Sequence, residues 1–384
     1  MNINPDELFY KDNKLFSFSA KVVKCVPHDG YFGIVLDKTG FFPEAGGQKA
    51  DKGTINSLSV YDAQVTNEGI EHYLKVPLEV GSVAVCRIDE NDRLTKERNH
   101  TGEHIVSSVV HKKFGYDNVG FHMGKIEMDV DFNGEFTQED LSYIEREANR
   151  IVMENVAVKT YFPTTEELEK IEYRSKLELT NPRIVEIEGY DYCACCAPHV
   201  SFTGEVGTIK ITDSCRNRGN TRLTLLCQSD AFDYVQTVCT DARRAGALLN
   251  VKPFSVSGAV ERQLEENASL KRENTYLKRT ITDSFVDSLR QTDEFLIVFC
   301  PSFAAKDVLN KGLELSKKGV FVFSETTDGY SYSLASKTVD MRVFSQELNK
   351  LFSGAGGGRP NAVQGKVRAS KSQLEDFVKQ KTKE

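Results

Sequence analysis

The chain lacks any apolar run approaching the ~18 residues that a helix needs to cross a bilayer, which excludes a helical membrane span. Its opening, MNINPDELFYKDNK, lacks the basic-then-apolar order of a secretory signal, so a cytoplasmic location is the default expectation. An even cysteine count is missing as well. Nine cysteines without a secretory signal argue against a disulfide framework. Three of them crowd together as Cys193, Cys195 and Cys196, a clustering that hints at metal or thiol chemistry. Excess positive charge is also absent: 49 basic against 56 acidic residues give −7, which taken globally argues against a phosphate-binding protein. A global sum does not see a local patch, however. No internal repeat or low-complexity segment is evident.

What is present suffices for a folded, multidomain protein. The 384 residues, 40% of them hydrophobic, are too many for one ordinary domain and can bury a core in two or three. Residues 1–90 read as short strands, two of them around a turn at His28–Gly30, and suggest a small β-barrel. Near Asn91 the period changes. Ile105, Val106, Val109, Val110 and Phe114 form one helical stripe, and a second amphipathic helix opens on Thr137 with Asp140 three residues later. Helices and strands then alternate without regular βαβ spacing, so residues 91–234 read as an α+β domain.

Between 235 and 291 the strands disappear. Asn267, Asn274 and Ile281 are seven apart, as are Leu270 and Leu277, a short heptad seam over 260–281 that suits a homodimeric coiled coil. An amphipathic helix packing on its own chain is the other reading of that spacing. From 292 to 384 strands and helices return as a separate C-terminal domain of α/β or α+β type.

The chemistry concentrates in two segments. His100 and His104 lie four apart on a predicted helix, so both imidazoles leave one face and can share a metal. Cys195 and His199 offer a second four-residue pair. Three of the seven histidines fall in these short segments, and a set of N and S donors suits Zn2+ better than magnesium or calcium. Cys193 and Cys196 are alternatives to Cys195, which the spacing to His199 favours. His100-Thr101-Gly102-Glu103-His104 also matches the inverted zinc-peptidase pattern, in which Glu103 is the general base and a distant carboxylate completes the site. That reading leaves the Cys/His pair without a job.

Six runs carry a family resemblance. They are Leu36-Asp37-Lys38-Thr39-Gly40-Phe41-Phe42-Pro43-Glu44-Ala45-Gly46-Gly47-Gln48, Asn99-His100-Thr101-Gly102-Glu103-His104, Cys195-Cys196-Ala197-Pro198-His199-Val200, Thr203-Gly204-Glu205-Val206-Gly207, Gly356-Gly357-Gly358-Arg359-Pro360 and Gln364-Gly365-Lys366. In this order they resemble the long form of the AlaX family, relatives of the editing domain of alanyl-tRNA synthetase with a C-terminal DHHA1 domain. The usual Cys-Gly-Gly-Thr-His and His-Thr-Ala-Thr-His are altered here, but the ligand positions persist. The resemblance implies a zinc-dependent trans-editing deacylase acting on mischarged tRNA for alanine that carries serine or glycine. A tRNA-binding module with structural zinc is the alternative. No segment like the synthetase's ATP-binding and charging domains precedes these motifs, so aminoacylation is not expected.

The resemblance also assigns roles. Thr39 and Gln48 become candidates to hydrogen-bond the seryl side chain or terminal ribose, with Thr203 a weaker one. Glu103 is expected to stand behind the ligands or at the surface rather than act as a base. For RNA, residues 359–384 hold seven basic side chains against three acidic, and 210–222 hold four against Asp213. Arg359, which with Gly356–Gly358 reads as a Gly-rich loop, Lys366 and Arg368, with Arg216 and Arg218, are the candidate phosphate contacts.

Overall fold

The computed structural model describes residues 4–175 and 181–381; Lys383 and Glu384, counted in the basic tail, lie outside the described residues. The chain forms two compact units, Met1–Asp241 and Ala242–Glu384. Their border falls inside the helix Gln228–Leu249, and the expected border at residue 90 lies within the first unit. Among the described residues no helix is long and apolar enough to cross a membrane.

The first unit opens with a seven-stranded antiparallel sheet: β1 (Ser17–His28), β2 (Tyr31–Leu36), β3 (Gly53–Ile55), β4 (Leu58–Val60), β5 (Asp62–Thr66), β6 (Gly69–Leu74) and β7 (Val83–Ile88). The strand order is β4-β3-β7-β1-β2-β6-β5. The two outermost strands, β4 and β5, are joined through Tyr61 alone, so the sheet curls until its edges nearly meet. Period-two alternation fills its interior: along β7, Ala84, Cys86 and Ile88 are buried while Val83, Val85 and Arg87 face out. They meet Val22, Ile34, Phe41, Ile55 and Leu74 in one core.

Asp89 then caps the 25-residue helix Glu90–Phe114 by accepting the Asp92 N–H. Gly115 ends it with φ 70°, the left-handed turn that glycine takes without strain. Around this helix lie β8 (Asn118–Met123), β9 (Met128–Phe132), β10 (Val158–Tyr161), β11 (Ile184–Ile187), β12 (Asp191–Ala194), β13 (Ile209–Asn217) and β14 (Asn220–Cys227). They form the sheets β13-β14-β9-β8 and β10-β11-β12. The helix Gln138–Glu154 carries the expected capping box between Thr137 and Asp140. Ile105, Val106, Val109 and Val110 join Ile144, Ile151, Leu223 and Leu225 in the core. At Gly102 a Cβ would come within 2.5 Å of Cys227 Sγ, so the close approach of helix to β14 requires glycine there.

The second unit holds the 33-residue helix Val256–Ser288 and the strands β15 (Phe295–Phe299), β16 (Gly319–Thr326), β17 (Gly329–Ala335), β18 (Ala355–Arg359) and β19 (Ala362–Val367). The order is β15-β16-β17-β19-β18, with only β15 and β16 parallel. Helix Ala305–Leu315 makes that crossover. Val320 and Val322 of β16 face one core, Phe321 and Phe323 the other, which is why the sequence GVFVF shows no alternation. The Gly-rich segment read as a loop is β18, the fully exposed edge strand of this sheet.

Candidate metal centre

The helix Glu90–Phe114 carries polar residues where a core helix should be apolar. Asn99, His100, Thr101, Glu103, His104, Ser107 and Ser108 are all buried. Burying polar groups costs free energy unless each finds a partner, so such a stripe marks a site. His100 and His104, one turn apart, have ring centroids 5.3 Å from each other. The His199 ring lies 4.9 Å from the first and 4.6 Å from the second. Cys195 Sγ is 3.6 Å from His100 Nε2. One donor atom from each of these four residues lies within 4.8 Å of the others. The four predicted ligands are thus brought together from a helix and a loop 95 residues apart.

Neighbouring residues set the orientation of His100, His199 and Cys195. Gln48 Oε1, which can only accept, lies 2.9 Å from His100 Nδ1, so that nitrogen carries the proton and Nε2 turns its lone pair toward Cys195. His199 Nδ1 sits 3.0 Å from the Thr101 hydroxyl, which also accepts the Val200 N–H. The other nitrogen of His199, Nε2, is buried without a hydrogen-bond partner. The Cys195–His199 loop is clamped by Arg183, whose Nη1 donates to the carbonyls of Cys195 and Ala197, and by Asn13, which donates to the His199 carbonyl at 2.6 Å. Burial holds the His199 imidazolium well below its ordinary range, reinforced by His104 and His100, so the ring is neutral. Burial also pushes the Cys195 thiol well above its usual value, against the Ala197 N–H and Arg183, which pull it down. A neutral imidazole nitrogen with nothing to bond, facing two more imidazoles and a thiol, fits a metal ion.

The site opens on a cavity of about 2070 Å³ lined by Tyr10, Gly46, His100, Glu103, His104, Asn118, Phe121, Arg174, Asp191 and Cys195 among others. Gly46 and Gly47 have φ of 60° and 83°, and a Cβ on Gly47 would stand 2.7 Å from the Phe121 carbonyl oxygen. The glycines therefore let the loop bearing Gln48 press against β8.

The other expected residues are placed as follows. Thr39 is buried away from the cavity, and its hydroxyl donates to His72 Nε2, because His72 Nδ1 donates to the Ile34 carbonyl. Gln48 is buried behind His100. Thr203 donates to the Ile151 carbonyl and accepts the Val156 N–H, outside the cavity. Glu103 lines the cavity but contributes to neither group of converging donor atoms. Cys193 belongs to the second group, with His104 and Asp191, whereas Cys196 packs with Phe9, Phe42 and Ala45. Arg216 is exposed and ion-paired with Glu135, and Arg218 is exposed in the β13–β14 turn. In the second unit Arg359 ends β18, Lys366 lies on β19 and Arg368 follows it; all three are exposed.

Sequence reasoning missed Arg174, Asp191, Arg183 and Asn118. Arg174 grips Asp191 bidentately at 2.9 and 2.7 Å beside Cys193. No spacing rule reveals such partners, since they arrive from separate strands and loops.

Residues 183–224 match the family model described as the second additional domain of threonyl and alanyl tRNA synthetases, and residues 301–383 match the DHHA1 domain. The chain is similar to the alanine–tRNA ligase of Methanobrevibacter smithii, 28% identical over 94% of this chain and 44% of the relative. It is also similar to that of Methanopyrus kandleri, 29% identical over 96% of this chain and 43% of the relative. The chain thus spans less than half the length of these curated relatives. Among solved structures, the C-Ala domain of Aquifex aeolicus alanyl-tRNA synthetase aligns over 23% of this chain and 98% of that one, at 18% identity and a TM-score of 0.20.

Proposed function

We propose that this chain, an AlaX-like relative of alanyl-tRNA synthetase carrying a DHHA1 domain, is a zinc-dependent hydrolase that removes serine or glycine wrongly attached to tRNA for alanine. The observation that carries this reading is the convergence of His100, His104, Cys195 and His199 beside one large cavity. Three imidazoles and a thiol are zinc ligands by their chemistry. Zinc held there would supply Lewis acidity toward the ester carbonyl or toward a water.

The chain's own residues prepare that setting. Gln48 fixes the His100 tautomer, Thr101 supports His199, and Arg183 with Asn13 holds the loop that presents Cys195. The cavity of about 2070 Å³ has room for an aminoacylated nucleoside at the end of an RNA. Exposed Arg359, Lys366 and Arg368 on the second unit, and Arg218 on the first, support contact with RNA phosphates. Leu264, Leu270, Leu277 and Ile281 are exposed on the helix Val256–Ser288, which supports its pairing with a second copy. The cytoplasm, where charged tRNA is found, is the setting this function requires.

The test is amino-acid release from Ser-, Gly- and Ala-tRNA by the zinc-loaded and chelated protein. We expect rapid release of serine, lost on chelation and restored by zinc. Four protein donors also describe a structural zinc. A folded, zinc-bound chain that hydrolyses no charged tRNA would therefore be a binding module. Proteolysis dependent on Glu103 would favour the inverted peptidase.

A further inference from the structure

Glu103 is the one acidic side chain of the cavity wall set between two ligand-type histidines, and its carboxylate is only 5% exposed. One oxygen is saturated. Oε1 accepts the Ser107 hydroxyl and the Asn118 amide, the latter at 2.5 Å. The Asn118 amide cannot turn away, because its own Oδ1 accepts the Gly120 N–H. The carboxylate is thereby locked in one orientation.

The second oxygen has a different situation. Oε2 lies 3.8 Å from His104 Nε2, its only ion-pair contact among the described residues. The cavity's guanidinium groups hydrogen-bond elsewhere: Arg174, which feels the Glu103 charge after those of Asp191 and Cys193, is held by Asp191, and Arg183 by the carbonyls of Cys195 and Ala197. Lys112 lies toward the Tyr190 ring. Neither converging set of donor atoms includes Glu103, so it is not placed to ligate a metal. A buried, oriented carboxylate without a cation of its own is costly, and it is complementary to a cation that a ligand brings.

We propose that Glu103 is the seat of the substrate's α-ammonium group, and that it selects free aminoacyl esters over N-blocked ones. This rests on the aminoacyl-ester reading given above. The ester of an amino acid carries its ammonium on the carbon next to the carbonyl. A carbonyl presented at the His/Cys cluster therefore leaves the ammonium beside His104, where Oε2 stands. Ser107 and Asn118 are positioning residues for that oxygen.

The experiment compares two ligands and two enzymes. Binding is measured by calorimetry with the 3′-seryl amide of 3′-amino-3′-deoxyadenosine, which cannot hydrolyse as an ester, and with its N-acetyl form. Turnover is measured with Ser-tRNA and N-acetyl-Ser-tRNA. Because an ionic hydrogen bond is lost on acetylation, the wild-type chain should prefer the free amine by at least about tenfold in Kd and in kcat/KM. In Glu103→Gln, with its zinc content checked, that ratio should fall to within about twofold, mainly through KM for the free amine. Equal wild-type affinity for amine and N-acetyl amide overturns the proposal, and that measurement needs no variant. A preference unchanged in Glu103→Gln overturns it too, as does an equal fall in kcat for both substrates, the mark of a general base. Amine-selective binding without hydrolysis of any charged tRNA would sink the hydrolase reading while leaving this inference standing.

Discussion

Glu97 offers a perturbation that should raise stability by removing an ionisable group. It lies one turn before Thr101 on the site helix and is 1% exposed. Oε1 is buried without a hydrogen-bond partner, 3.9 Å from Arg93 Nη1, while Oε2 has Asn13 Nδ2 at 3.5 Å. Arg93 cannot serve it better, since its guanidinium is engaged by Asp51 at 3.0 Å and by the Gly40 carbonyl. Burial pushes the Glu97 carboxyl from its ordinary 4.5 up to about 8; Arg93 opposes this, Asp51 and Glu205 add to it, and Lys14 pulls it down. The folded state therefore holds a proton that the unfolded chain releases. Stability from this group is fully present below about 4.5 and is lost as pH rises toward about 8. At about 1.4 kcal/mol per pH unit, the loss at pH 7 amounts to about 3 kcal/mol.

Glu97→Gln keeps the shape and removes the titration. Its amide will meet Arg93 less well than a carboxyl oxygen does, so we expect a net gain of about 2 kcal/mol at pH 7. The gain should reach zero a little above pH 5 and become a loss of about 1 kcal/mol near pH 4.5. Urea unfolding followed by circular dichroism at pH 5, 6, 7 and 8 measures it, in the presence of chelator so that proton-linked metal release does not contribute. A stability difference independent of pH, or a variant less stable than wild type at pH 8, refutes the reasoning.

Further expectations are simpler. His100→Ala, His104→Ala and Cys195→Ala should each lower bound zinc, read by metal analysis, together with serine release. Gln48→Ala, which leaves His100 Nδ1 without its acceptor, should weaken zinc by about 10–100-fold while the fold persists by circular dichroism. Arg359→Glu with Lys366→Glu should weaken tRNA binding and reduce the slope of log K against log salt by about 2, which a filter-binding salt series measures. Leu270→Lys with Leu277→Lys should yield a monomer by sedimentation, with zinc content unchanged.

Much of the local structure was legible because short-range chemistry determined it. The Thr137–Asp140 box, the alternation along β7 and the stripe from Ile105 to Val110 are each set by neighbours within a turn or a strand. The His/His and Cys/His pairs were legible for the same reason. β18 was not. Three successive glycines read as a loop, yet Gly356 pairs with Gly365 and Gly357 with Gln364, and β19 supplies the order that glycine lacks on its own. Gln48 and Thr39 were visible as residues of interest, but not which atoms they would face. Gln48 turns to His100, 52 residues on in the site helix, and Thr39 to His72, 33 residues on in β6.

The same division explains why the site's supporting residues escaped notice while its donors did not. Donors must repeat at the spacing of one element, because two atoms on one helix turn can share an ion. Supporting groups have no such constraint: Asn13, Gln48, Thr101, Asn118 and Arg183 come from five different segments and meet only after folding. What they share is burial of polar atoms on or against one helix, each with a partner. The exceptions fall at the site itself, where His199 Nε2 is buried without a hydrogen-bond partner. A carboxylate such as Glu103, held on one oxygen and left without a cation on the other, is the place in it where the occupant's charge can be read.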